Sequence, residues 1–239
     1  MPAEAGAPVV LLTGATGSLG RVVAARLARD GARLALVGRD RDRLDSLAAD
    51  LGLAPDGWLP VIGELTDGEA ARGVAAAAEA RFGRVDVLVH LVGGWAGGTT
   101  VVDLDPDEVR DMLDQHLWTT LHIAQAVVPG MVERGFGRVL AVTSPFATNP
   151  AGKGASYAIA KAAEEVLLRS LAKETAGSGV TANLVVVRTI DAQHERETAP
   201  TPKNAAWTTP EEIAETLAFL ASPGAAAITG ARIPLDGRS

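Results

Sequence analysis

Short apolar runs alternate with alanine-rich stretches of helical period along almost the whole chain. Segments 9–12, 33–37, 58–62, 85–91, 138–143 and 180–187 read as strands, with a last short one at 233–235. Between them, 19–29, 41–50, 69–82, 107–134, 156–174 and 210–220 carry the 3.6-residue period of helices. Strands that are nearly continuous apolar runs suit a parallel sheet covered on both faces. The β-α alternation then predicts an α/β fold: a doubly wound parallel sheet of the Rossmann type, with about seven strands and right-handed crossovers. Gly31, Gly52, Gly83, Gly135 and Gly137 stand where helices end and are expected to act as C-terminal caps.

No repeat or low-complexity linker interrupts this order, so residues 8–239 are expected to form one domain behind a flexible tail at 1–7. One segment breaks the pattern. Residues 189–209, TIDAQHERETAPTPKNAAWTT, are polar, carry prolines and lack a period. A loop this long in a compact chain is more often a lid or binding loop than a filler.

Composition narrows the function. Hydrophobic residues make up 47% of the 239, enough for a sizeable core. The net charge of −7, with acids and bases interspersed, argues against nucleic acid or an anionic membrane as partner. The absence of cysteine rules out disulfides and thiol chemistry and suits a cytoplasmic location. The N-terminal residues lack the pattern of a signal peptide, and no apolar stretch approaches the ~20 residues of a membrane span. The four histidines show no metal-ligand spacing, so no metal is expected.

The first strand runs into TGATGSLG, Thr13 to Gly20, and then into a helix. Gly14, Gly17 and Gly20 stand where a backbone must turn tightly and approach a pyrophosphate, and the helix start offers free N–H groups to it. A tight strand-to-helix turn with no ligand would use glycines too; the position after the first strand favours a nucleotide. The second strand ends in Gly38-Arg39-Asp40, with Arg41 and Arg43 beyond. An acid here would bind the ribose hydroxyls of NAD and an arginine the 2′-phosphate of NADP. Arg39 comes first, which points to NADP(H), with NAD(H) as the other possibility; Asp40 is equally suited to cap the next helix.

Tyr157 is the one tyrosine of the chain, and Lys161 lies one helical turn along the same face. Ser144 lies upstream at a strand end, on the ligand-binding edge of a parallel sheet. This set suits hydride transfer at a carbonyl: the phenol hands a proton to the oxygen, the serine hydroxyl holds it, and the ammonium stabilises the phenolate.

These residues carry a resemblance. TGATGSLG, SYAIAK with Ser144 upstream, and the tail from Pro210 to Gly237 resemble the short-chain dehydrogenase/reductase family over nearly the whole chain. The resemblance implies Ser144, Tyr157 and Lys161 as catalytic residues. It implies dinucleotide contacts from Gly14, Thr16, Gly17, Ser18, Leu19, Gly20, Arg39, Glu64, Leu65, Gly93, Tyr157, Lys161, Val187 and Thr189. It also implies a homotetramer or homodimer built on the helices at 107–134 and 156–174. Apolar residues Leu113, Leu117, Trp118, Leu121, Ile123, Val127 and Val128 on the first of these exceed what one buried stripe needs. Trp95, His90, His116 and Phe146 are expected around the substrate. Trp95 suits stacking on a flat substrate or plain packing, and the two histidines suit packing and hydrogen bonding better than acid chemistry.

The chain departs from the family pattern at several points. Ser18 replaces the middle glycine of TGxxxGxG, His90-Leu91-Val92-Gly93 replaces NNAG, His116 replaces the asparagine that supports a water relay to the lysine, and Val187-Arg188 replaces proline–glycine. GGWAGG at 93–98, with Leu117-Trp118-Thr119, the TID at 189–191 and Trp207-Thr208, is similar to the dihydropteridine reductase branch, which typically uses NADH and lacks the serine. The sequence therefore predicts an NADP(H)-dependent oxidoreductase acting on a carbonyl, hydroxyl or related group of a small molecule. A dinucleotide-binding sensor without turnover and a pterin-type C=N reductase are the alternatives.

Overall fold

The structure is a computed structural model that describes residues 6–236, so most of the expected tail at 1–7 lies outside the described residues. Seven strands form one sheet: β1 (Val9–Thr13), β2 (Arg33–Gly38), β3 (Trp58–Ile62), β4 (Val87–His90), β5 (Gly137–Thr143), β6 (Val180–Val187) and β7 (Arg232–Leu235). All pairings are parallel, in the order β3-β2-β1-β4-β5-β6-β7. Every residue of β1, β4 and β6 is buried. Such strands have no solvent face and so no polar alternation.

The helices are α1 (Ser18–Arg29), α2 (Arg41–Asp50), α3 (Gly68–Phe82), α4 (Pro106–Leu113), α5 (Thr119–Arg134), α6 (Ala155–Glu174), α7 (Glu195–Thr198) and α8 (Pro210–Ala221). Two cores result. Val23, Leu44, Leu47, Ile213 and Leu217 of α1, α2 and α8 pack on one sheet face. Val74, Phe82, Ile123, Val127 and Leu168 of α3, α5 and α6 pack on the other. The doubly wound fold expected from the pattern is therefore present.

Two expectations need correction, and one segment gains detail. The helix at 107–134 is not uniform: between α4 and α5 lies a π turn, Asp114–Trp118, in which the Thr119 N–H reaches back to the Asp114 carbonyl. Two threonines sustain it. Thr119 Oγ1 donates to the Gln115 carbonyl at 2.8 Å and Thr120 Oγ1 to the His116 carbonyl at 2.5 Å, back-bonds that bend helices. Gly31, Gly52, Gly83 and Gly135 do have the positive φ of helix caps, but Gly137 does not. It opens β5, where a Cβ would fall 2.6 Å from Met131 of the neighbouring helix. Finally, residues 189–209 are folded. Ile190 pairs with Thr208, and buried Asp191 accepts from the Glu195 and Arg196 N–H groups at 2.8 and 2.9 Å to start α7. Arg196 then ties the segment to Glu212 of α8 at 2.7 Å.

The amino edge of the sheet is closed by buried charge. Asp86 Oδ2 accepts from the Val9 N–H and from Arg84 Nε, both at 2.9 Å. Arg138, 1% exposed, donates to the carbonyls of Gly137 (2.8 Å), Gly179 (3.1 Å) and Ser222 (3.4 Å), and its guanidinium lies 4.4 Å from the Phe136 ring centre. At the carboxyl edge the strand order reverses beside β1, so the turns after β1 and β4 face each other across a crevice. Such a reversal is where open α/β sheets bind ligands.

Candidate functional site

The glycine turn is built by exclusion of side chains. A Cβ on Gly20 would fall 2.2 Å from the Gly14 carbonyl oxygen, and one on Gly14, at φ +68°, would fall 2.8 Å from that of Leu91. Gly17, by contrast, meets only the Gly14 oxygen, at 3.3 Å. It borders open space, and no side chain caps the first turn of α1 that follows it. Ser18, standing for the missing glycine, is the exposed first residue of α1, where a side chain is tolerated.

Two cavities share this turn. One, of about 710 Å³, is lined by Gly14, Thr16, Gly17, Arg39, Arg43, Glu64 and Leu65. The other, of about 590 Å³, is lined by Gly14 to Gly20 on one side and by Trp95, His116, Phe146, Tyr157 and Lys161 on the other, with Val187 and Thr189 at its rim. Gly14, Gly17 and Gly93 border both, so the two form one groove across the crevice. An open glycine backbone, an uncapped helix start and exposed Arg39, which has no hydrogen-bonded or ionic partner among the described residues, fit a bound dinucleotide. The neighbouring side chains are engaged differently. Asp40 caps α2 through the Arg43 N–H at 3.2 Å, Arg41 pairs with Asp45 at 2.9 Å, and Arg43 donates to the Thr16 carbonyl at 3.1 Å.

Tyr157 and Lys161 stand on the first two turns of α6. The Tyr157 ring is held edge-on between His116 (centroids 5.6 Å, planes at 77°) and Phe146 (6.4 Å, 86°). Lys161 is 6% exposed and its Nζ donates to the Val142 carbonyl at 2.8 Å and to Glu164 Oε2 at 2.7 Å. Glu164 is 1% exposed and also meets Thr120 Oγ1 at 3.3 Å. Burial pushes its carboxyl above the usual range, and the Lys161 ammonium pulls it back. Ser144 is buried between pocket-lining Thr143 and Phe146 but does not itself line the cavity. Its Oγ accepts the Phe146 N–H at 3.3 Å, which leaves the hydroxyl hydrogen free to donate.

His116 does line the cavity, and the π turn puts it there. Its Nε2 lies 2.9 Å from the Gly94 carbonyl and 3.4 Å from the Gly94 N–H; the shorter contact is made with the proton on Nε2, and Nδ1 has no partner among the described residues. Burial, with the nearby Lys161 charge, lowers its pKa to about 3. His90, expected around the substrate, is not in the cavity wall: it sits inside the core, with Nδ1 2.8 Å from Thr13 Oγ1 and Nε2 3.2 Å from Thr119 Oγ1. Burial, then Lys161 and His116, lowers its pKa to about 3 as well. Both imidazoles are neutral at pH 7 and neither serves as an acid there.

Glu164 was absent from the sequence expectations. Its signal was the three-residue spacing from Lys161, but that spacing is common on solvated helices and says nothing about burial. Among the described residues no group of three or more possible metal ligands exists and no helix is long and apolar enough to cross a membrane.

Known proteins share this architecture. A family described as enoyl-(acyl carrier protein) reductase matches residues 14–237. The (2S)-[(R)-hydroxy(phenyl)methyl]succinyl-CoA dehydrogenase subunit BbsC of Thauera aromatica is 35% identical, covering 96% of this chain and 93% of its own length. The 3-oxoacyl-[acyl-carrier-protein] reductase FabG of Escherichia coli is 28% identical, covering 96% of each. The crystal structure of a 3-ketoacyl-(acyl-carrier-protein) reductase from Brucella melitensis complexed with NADH superposes with a TM-score of 0.87 at 25% identity, covering 97% of this chain and 98% of that one.

Proposed function

The chain belongs to the short-chain dehydrogenase/reductase family and is an oxidoreductase, and from that premise we propose that it is an NADPH-dependent reductase of small-molecule carbonyls with Tyr157 as proton donor. The observation that carries this reading is that Tyr157 and Lys161 line the same cavity as the glycine turn. The dinucleotide, when bound, supplies the hydride. Gly14, Thr16, Gly17, Ser18, Leu19 and Gly20 would hold its phosphates, Arg39 would pair with the 2′-phosphate, and Glu64, Leu65, Gly93, Val187 and Thr189 would border its path. Tyr157 would give its phenol proton to the substrate oxygen, so that a hydroxyl forms there and a phenolate remains on Tyr157. Lys161 steadies that phenolate and holds the nicotinamide ribose. Ser144, buried beside the cavity-lining Thr143 with its hydroxyl hydrogen free, would donate to the same oxygen once its side chain turns into the cavity.

The names of the relatives support 3-oxoacyl thioesters as the first substrates to test. A flat substrate is a second reading, because Trp95 is 66% exposed at the cavity mouth and free to stack on one. The test is NADPH oxidation across 3-oxoacyl thioesters, ketones, quinones and pterins. Thioester or ketone turnover is expected; turnover of pterins alone moves the protein to C=N reduction, and none at all with tight NADPH binding favours a sensor.

We also propose a homo-oligomer, most simply a tetramer, in the cytoplasm. Ile123, Val127 and Val128 belong to the protein's own core and not to an interface, which corrects the expectation for that helix. What remains exposed is Trp118 and Val132 on one side of the helix pair and Ile159 and Val166 of α6 on the other. Light scattering that finds a monomer at micromolar concentration overturns this assembly.

A further inference from the structure

Lys161 is not an isolated cation. Its ammonium is clamped between the Val142 carbonyl and Glu164, and both members of the ion pair are almost wholly buried. We propose that Glu164 is a positioning residue for the catalytic pair: its carboxylate fixes the rotamer of Lys161 and offsets the charge that Lys161 presents to the Tyr157 phenol.

The argument is electrostatic and rests on which charges face the pair. Glu165, next along α6, is occupied elsewhere, held by Arg232 Nε at 2.7 Å and Nη2 at 3.1 Å and by Thr143 Oγ1 at 3.0 Å. Glu108 of α4 accepts from Ser156 Oγ at 2.5 Å. His116 and His90 are neutral, and Arg188 is an exposed residue at the cavity rim. Lys161 is therefore the buried cation beside the phenol, and Glu164 is the carboxylate in contact with it. A carboxylate in contact with an ammonium cancels much of its field at a third group a few ångströms farther away. Low exposure keeps water from screening either charge. The phenol then holds its proton more firmly than it would beside a bare ammonium.

This inference rests on the reading of Tyr157 and Lys161 as the working pair, but its test needs no substrate. Tyr157 is the one tyrosine of the chain, so the tyrosinate absorbance that develops on raising the pH reports that phenol alone; the four tryptophans do not ionise. Glu164→Gln removes the charge and keeps the shape. It should move the tyrosinate midpoint down by about one to two pH units relative to wild type. Glu164→Asp should return part of that shift. Glu165→Gln, which removes an equally buried carboxylate that does not touch Lys161, should move the midpoint less. If Glu164→Gln does not fold, the double replacement Lys161→Met, Glu164→Met removes the pair whole. Its midpoint should stay within about one pH unit of wild type, because a paired ammonium acts weakly on its neighbours. An unmoved midpoint in Glu164→Gln, or a rise of more than about two units in the double variant, overturns the proposal. Failure of the carbonyl-reductase reading shows separately, as absent turnover with the midpoints still ordered as stated.

Discussion

At the amino edge of the sheet, Arg138 and Asp86 direct their polar atoms at backbone groups of the protein itself, while at the carboxyl edge Arg39, the first turn of α1 and the Nδ1 of His116 have no partner among the described residues. The amino edge buries charge, which is costly unless it is paired. It recovers that cost within the fold. The other leaves capacity for a ligand, and Tyr157 and Lys161 stand beside it. The contrast teaches that buried charge alone does not mark a functional site in this molecule. What marks it is unused polar capacity gathered on one groove: Arg33 Nε and Thr181 Oγ1 at the amino edge also lack partners among the described residues, but they line neither cavity of the crevice.

The largest effect should come from the carboxyl edge. Tyr157→Phe removes the proton donor and should lower turnover ~10²–10⁴-fold while leaving cofactor binding and folding intact. Steady-state rates beside a cofactor titration separate these, and wild-type turnover in the variant would end the mechanism. The amino edge should respond in the opposite sense. Arg138→Met removes the buried guanidinium's contacts to the Gly137, Gly179 and Ser222 carbonyls and should cost about 3 kcal/mol of stability by urea unfolding, with NADPH affinity unchanged. A variant that loses affinity but not stability would erase the distinction between the edges.

Acid should act through the two neutral histidines. Both have pKa values lowered from 6.5 to about 3 in the folded chain. The unfolded chain therefore binds more protons between these values, and stability is lost as pH falls through 6.5 towards 3. At pH 5 the loss should be about 2 kcal/mol for each histidine, read as a falling urea midpoint between pH 7 and 5. His90→Asn should flatten part of that slope. The smallest effect sharpens the ligand edge: Arg39→Asp should erase the preference for NADPH over NADH, a change of about tenfold or more in relative Kd, or ~1.4 kcal/mol. If wild type binds NADH as well as NADPH, Arg39 is not the 2′-phosphate partner.

The order of elements, the covered parallel sheet, the glycine turn and the Tyr157–Lys161 pair were all legible in the sequence. Each depends on local spacing: apolar runs for strands, the 3.6-residue period for helices, glycines where a Cβ would meet backbone within a few residues, four residues between two groups on one helix face. Gly20 against the Gly14 carbonyl is of this kind, and so is the capping of α2 by Asp40. The π turn that aims His116 at the cavity was not legible, because a period averaged over 107–134 does not register one extra residue in a turn. Nor was the role of His90, whose partners Thr13 and Thr119 come from a distant strand and helix. Glu164 shows the boundary most clearly. Its spacing from Lys161 is written in the chain, but the same spacing joins Glu69 to Arg72 on an exposed face of α3. Only the packing of α6 against the π turn and β5 removes water from the first pair and not from the second, and that exclusion decides whether a glutamate beside a basic residue is a solvated ion pair or a buried one at a cavity wall.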